Sequence, residues 1–207
     1  MQNSTDPINI FSSDSVLQAA FTAATTDIIT SAAHGLSEGD LIWVATATTL
    51  PSGLSASTNY YVIAPTTDTF KVSTVRGGTA VDIADAGTGT HTFYLKGKSI
   101  LVRDFTHNVL AVDFSSTPTM TIKFQGSNQL TAPDFNASQS ATNMWDYVEV
   151  VDLEDGSTID GDTGVSVAGT ADHRTFEINT NGLNWVSVIV TAWTAGLLKV
   201  SLTSYSE

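Results

Sequence analysis

His34-Gly35-Leu36-Ser37-Glu38-Gly39-Asp40, or HGLSEGD, places an imidazole and two carboxylates within seven residues. That is the content of a small catalytic or metal site, and equally of a tight turn punctuated by two glycines. A catalytic reading needs His34 as base, with Glu38 or Asp40 orienting it or acting as acid. Neighbouring side chains on a strand or turn point to alternate faces and seldom converge on one point. A metal reading lacks the His-Glu-x-x-His spacing, and the other histidines, His91, His107 and His173, are isolated. As a turn, every residue has a role. Gly35 and Gly39 supply positive φ, Leu36 plugs a core, and the Asp40 carboxylate accepts from backbone donors. HGLSEGD therefore reads as a connection between two strands.

Those strands are Ile28-Ile29-Thr30 before it and Leu41-Ile42-Trp43-Val44-Ala45 after it. Further strand signals follow in series: Asn59 to Ile63, Phe70 to Val75, a short Val81 to Ile83, and Thr90 to Leu95. The rhythm predicts a small β-barrel over residues 21–97. Lys96-Gly97-Lys98 marks its end. Beyond it, Ser99 to Asp104, Asn108 to Phe114, Thr119 to Phe124, Trp145 to Leu153 and Arg174 to Asn179 are strand candidates. Trp185 to Trp193 and Leu197 to Thr203 are two more, joined by a hairpin turn at Thr194-Ala195-Gly196. Residues 98–207 are expected to form a jelly-roll-like β-sandwich, with a long polar connection over 126–144. The one helix-like start is Ser13 to Phe21, and residues 1–20 read as an extended N-terminal arm. The predicted fold class is all-β.

Composition agrees. Hydrophobic residues make up 42 % of the 207, while charged residues reach only 14 %, against about 25 % in typical soluble domains. Thr, Ser, Asn and Gly must supply the polar surface, which suits strands and turns rather than exposed helices. A net charge of −13 with eight basic residues argues against nucleic acid and against anionic membrane surfaces, both of which are gripped by Lys and Arg. With no cysteine, disulfides, thiolate catalysis and zinc–sulfur sites are excluded. No signal peptide or spanning segment is expected, nor any cofactor.

One resemblance extends this reading. Ile29-Thr30, His34-Gly35-Leu36, Gly39-Asp40 and Val44 are followed by Leu50-Pro51-x-Gly53-Leu54 and Tyr60-Tyr61-Val62-Ile63. Thr69-Phe70-Lys71-Val72 and Gly87-Thr88-Gly89-Thr90 complete the series. In this order they resemble a small β-module of tailed-bacteriophage virion proteins. A similar HGL-x-x-GD pattern occurs in the first catalytic-cysteine half-domain of ubiquitin-activating enzymes, which is a β-barrel. The absence of cysteine prevents that chemistry from carrying over. Lys123-Phe124-Gln125-Gly126-Ser127 and Ile159-Asp160-Gly161-Asp162-Thr163-Gly164 resemble the β-sandwich portion of phage structural proteins.

The resemblance implies a non-enzymatic virion protein made in the bacterial host cytoplasm. The expectation is a capsid decoration or head accessory protein that binds the particle surface through its N-terminal arm and a β-module, with major capsid or tail proteins as partners and a homotrimer favoured. The alternative is a glycan- or receptor-binding module of a tail fibre or baseplate, using Trp145 and Tyr147 with the loop from Gly126 to Met144. Trp43, Trp185 and Trp193 sit in apolar strands and are expected in a core or subunit contact. Asp152, Glu154, Asp155, Asp160 and Asp162 form the densest acidic segment and are a weak Ca²⁺ candidate. They miss the EF-hand pattern, whose glycine would fall one position later. A solvated acidic loop is the simpler reading.

Overall fold

A computed structural model describes residues 3–12, 16–180 and 182–206. Among them the chain forms strands and no helix. In chain order these are β1 (Asn3–Ser4), β2 (Ile8–Phe11), β3 (Gln18–Ala24), β4 (Ile28–Thr30), β5 (Leu41–Thr46), β6 (Tyr60–Ile63), β7 (Thr69–Ser73) and β8 (His91–Lys96). There follow β9 (Ile100–Leu101), β10 (His107–Ser127), β11 (Asp146–Tyr147), β12 (Val150–Asp152), β13 (Thr158–Ile159), β14 (Val165–Ala168), β15 (Asp172–Ile178) and β16 (Trp185–Ser206). The chain divides into two compact units, Asp14–Lys96 and Met1–Ser13 with Gly97–Glu207.

The Asp14–Lys96 unit is a closed six-stranded barrel in the order β3-β4-β7-β6-β5-β8. Alternation builds it. His91, Phe93 and Leu95 point inward from β8, and Tyr60 and Val62 from β6, while their neighbours are half-exposed. Phe70 meets Phe93 edge-on at 5.7 Å, an arrangement that adds a quadrupole term to the area the rings bury. Val81 to Ile83 is not a strand; Ile83 is a buried plug whose N–H donates to Asp27 Oδ1 at 2.9 Å. Gly53 is required where it stands: φ is +88°, and a Cβ would lie 2.1 Å from the Asp82 carbonyl oxygen.

The second unit is a ten-stranded sheet, β1-β16-β10-β15-β12-β13, with β2 and β9 also on β16 and β11 and β14 also on β10. Its spine is the antiparallel pair β10–β16, which runs from His107 opposite Tyr205 to Ser127 opposite Trp185. Leu110, Val112, Phe114, Met120, Ile122 and Phe124 alternate into the core along β10, against Val188, Leu198, Val200 and Leu202 of β16.

Several expectations change here. Residues 1–20 are not one arm: β1 and β2 pair with the end of β16, Ile10 and Phe11 are buried, and residues from Gln18 form a barrel strand. The helix start at Ser13 to Phe21 gives way to β3, whose Gln18 to Phe21 pair with β8; residues 13–15 lie outside the described residues. The Thr194-Ala195-Gly196 hairpin is absent, because β16 passes straight through it. Gly196 has φ +91°, and a Cβ there would lie 2.4 Å from Pro118 Cα. Opposite it, Ser116 and Thr117 take φ +57° and +53°, and the register shifts between Ser115 and Thr119. Both strands bulge at the same row, which is how sheets bend without ending. Ser99 to Asp104 shortens to β9, and Trp145 to Leu153 breaks into β11 and β12. Gly161 permits the close backbone approach at that break, since a Cβ on it would fall 2.0 Å from the Val148 carbonyl oxygen.

Candidate interaction surface

In HGLSEGD the polar side chains are taken up by backbone groups, of the stretch itself and of its neighbours. His34 is fully buried, its Nδ1 accepts from the Leu36 N–H at 2.9 Å, and its Nε2 lies 3.4 Å from the Thr69 carbonyl. Those partners place the proton on Nε2. The ring stands edge-on to Phe70 at 5.0 Å. Burial is the main influence on the imidazole and pushes its pKa below 6.5, with the Thr69 contact and the Asp68 charge opposing. Asp40 is also buried, and its Oδ2 accepts from the Ser37 N–H at 2.8 Å. Glu38 Oε2 accepts from the Ala64 N–H at 2.8 Å. Gly35 and Gly39 take φ +65° and +79°, and Leu36 is buried. Three potential catalytic groups thus act as caps on one connection.

The acidic segment disperses in the same way. Asp152 is buried, accepts from the Glu154 N–H at 3.0 Å and pairs with Arg174 at 3.4 Å. Asp155 accepts from the Ser157 N–H at 2.8 Å; hydrogen bonds from the Ser157 hydroxyl and then its N–H hold the Asp155 carboxyl below its usual range. Asp160 accepts from the Asp162 and Thr163 N–H groups. Asp162 bonds Lys123 at 2.7 Å, and that bond is the main reason the Lys123 ammonium is held above its usual pKa. Glu154 is exposed. Among the described residues no three His, Asp or Glu side chains gather as a metal site.

The polar stretch 126–144 is a folded lobe rather than a plain connection. Phe135 is buried, and its carbonyl accepts from the Gln125 amide at 3.0 Å. Asn143 staples the lobe: its amide donates to the Asp134 and Ser138 carbonyls, and its Oδ1 accepts from the Asp134 N–H. Ser127 Oγ donates to the Met144 carbonyl at 2.6 Å. Trp145 lies 6.2 Å from Phe135 and 5.5 Å from Tyr147, the latter edge-on. Its indole N–H donates to the Ala137 carbonyl, and the Lys123 ammonium sits 5.0 Å over the Tyr147 ring. The structure therefore brings Trp145 and Tyr147 together, half-buried, in one aromatic row.

All four tryptophans are half-buried, so Trp43, Trp185 and Trp193 are not core residues. Each donates its N–H inside the chain, to Asn59, Gln129 and Gly196 respectively. An amphipathic ring settles where its body is covered and its N–H has a partner. Within the loop from Gly126 to Met144, Leu130 and Met144 are 82 % and 51 % exposed, and neither stands out in the sequence. Their signal was faint, because single apolar residues in a polar loop are common on protein surfaces.

No protein-family profile matches the chain, and no curated protein matches it. Among solved structures, the SPBc2 prophage-derived protein YomS is 19 % identical over 54 % of this chain and 80 % of its own, with a TM-score of 0.38. The PBSX exported protein XepA is 10 % identical over 100 % of this chain and 82 % of its own, with a TM-score of 0.39. At such values neither likeness carries an argument about this chain.

Proposed function

We propose that the chain is a non-enzymatic structural component of a tailed-phage particle, a capsid decoration or head accessory protein that attaches through a face of one β unit. The observation that carries this reading is HGLSEGD itself. Its histidine and Asp40 accept from backbone N–H groups of the turn itself, and Glu38 accepts from the Ala64 N–H, as an architectural turn requires, inside the sequence pattern that resembles a virion β-module. The all-β build without cysteine suits a rigid component that needs no covalent staples. Attachment is assigned to a folded surface rather than to a free arm, since Ile10 and Phe11 are buried. Its partners are major capsid or tail proteins, its place is the virion, and its assembly is a homotrimer.

The test is mass spectrometry of particles banded on a density gradient from cells that carry the gene, with light scattering on the purified chain. Many copies per particle and a trimeric mass support the reading. A chain found only in the lysate supernatant overturns it.

A second reading, a glycan-binding module of a tail fibre or baseplate, is favoured by the half-exposed Trp145–Tyr147 pair. Glycan-array binding abolished by Trp145→Ala would establish it; an empty array would remove it.

A further inference from the structure

The outer face of the large sheet holds a groove of about 570 Å³ that no expectation had marked. Strand pairing builds it. Val151 of β12 lies opposite Glu177 of β15, which lies opposite Val109 of β10. Directly paired residues put their side chains on the same face. Glu149, just ahead of β12, also lines the groove. Val148, Val151 and Leu183 give the groove an apolar lining, with Glu149 and Glu177 as its carboxylates. His107 forms one wall. Its ring stacks on Tyr205 at 4.8 Å with only 10° between planes, and its Nδ1 lies 3.3 Å from Glu177 Oε1. No lysine or arginine lines this groove. Thr106 and Leu183 also line a neighbouring depression of about 300 Å³, whose wall carries Arg103 beside Asp104.

We propose that this groove docks a lysine- or arginine-bearing segment of another protein. The chemistry matches a long basic side chain part by part. The methylene stem lies along Val148, Val151 and Leu183, and the charged head reaches the carboxylates of Glu149 and Glu177. A second copy of this chain is a poor occupant. Its net charge of −13 makes it a poor source of a basic segment for these carboxylates, and several of its own cations are engaged. Lys71 pairs with Asp27, Lys123 with Asp162, and Arg174 with Asp152 and Asp172. Lys96 sits over the Trp43 ring.

The inference names the partner chemistry for the particle reading and rests on it for biological meaning, yet the two fail separately. A chain that binds basic peptide but is missing from particles keeps the groove and loses the particle. The reverse outcome keeps the particle and loses the groove.

The experiment is fluorescence anisotropy of the full chain at low salt with a labelled alternating Lys/Val octapeptide and its Glu/Val counterpart. Binding of the Lys peptide alone is expected. The pair Glu149→Gln with Glu177→Gln should weaken it by about tenfold or more, while Glu154→Gln with Asp155→Asn, the same charge change elsewhere, should change it by less than about twofold. Equal losses from the two pairs would show general attraction to an acidic surface and overturn the proposal, as would no binding. Amide chemical-shift mapping on the unsubstituted chain guards against a folding defect. Shifts clustered at Val148, Val151 and Leu183 support the groove, and shifts confined elsewhere exclude it.

Discussion

In the barrel unit six strands of three to seven residues pair all the way round, and no edge is left. In the sheet unit two strands of 21 and 22 residues run side by side, and short strands from the N-terminus and from residues 100–178 are added along their flanks. Closure removes unpaired N–H and C=O groups outright. Addition covers them piece by piece, and the cover depends on segments far away in sequence. The barrel is thus a local structure and the sheet a long-range one. Their responses to substitution should differ accordingly.

The largest effects test whether the two units melt separately. Gly53→Ala drives a Cβ to 2.1 Å from Asp82 O at φ +88°, and Gly161→Ala drives one to 2.0 Å from Val148 O. Each should destabilise its own unit by about 3 kcal/mol or more, since backbone must move and, at Gly53, a strained φ is retained. Calorimetry of the full chain should then show one of two transitions lost, a different one for each variant. A single shared transition in both would mean that the distinction between the units has no thermodynamic content.

Next comes removal of residues 1–12, which takes the buried Ile10 and Phe11 out of the sheet unit. A loss of about 3–5 kcal/mol is expected there, with the barrel transition unmoved. An unchanged sheet transition would mean that β2 decorates the edge without supporting it.

A smaller effect, confined to the barrel, should follow pH. Burial lowers the folded-state pKa of His34 below its ordinary 6.5, so the unfolded chain binds a proton more readily. The stability this residue contributes is complete above about pH 6.5 and is lost as pH falls from there toward the lowered value. The barrel melting temperature should decline over that window, and His34→Gln should flatten the decline. Asp85 acts in a separate window. Hydrogen bonds from the Gly87 and Ser52 N–H groups lower its pKa, so its contribution is lost only as pH falls below 3.8.

The smallest effect belongs to Lys123 and Asp162, whose exposed pairing is screened by water. Asp162→Asn should leave both melting transitions within experimental scatter.

Much of the barrel was legible in the sequence. Alternating runs such as Tyr60-Tyr61-Val62-Ile63 and the glycines at 35, 39 and 53 are local signals, and the structure uses them locally. The sheet unit was harder for a physical reason. Gly196 and the Ser116-Thr117-Pro118 run look like turns, because turns and bulges draw on the same positive-φ residues. Only the partner strand decides between them, and here the two irregularities face each other across one row. The helix-like start near Ser13 was overridden likewise, by pairing of Gln18 to Phe21 with β8. Of the candidate surface, Trp145 and Tyr147 were visible as aromatics leaving a polar loop. The groove was not, because Glu149, Glu177 and His107 stand far apart in sequence and meet only through strand register.

The placement of β1 and β2 has a consequence in time. The Thr5 N–H donates to the Ser204 carbonyl, a partner 199 residues further along the chain. On a ribosome the barrel strands are all available once Lys96 has emerged, so that unit can close early. The first strands of the sheet unit must wait, with Ile10 and Phe11 uncovered, until β16 has been made. Loop closure over such a span is slow, and an open apolar strand is a target for other chains. Synthesis rate and chaperone supply should therefore govern the yield of the sheet unit far more than that of the barrel.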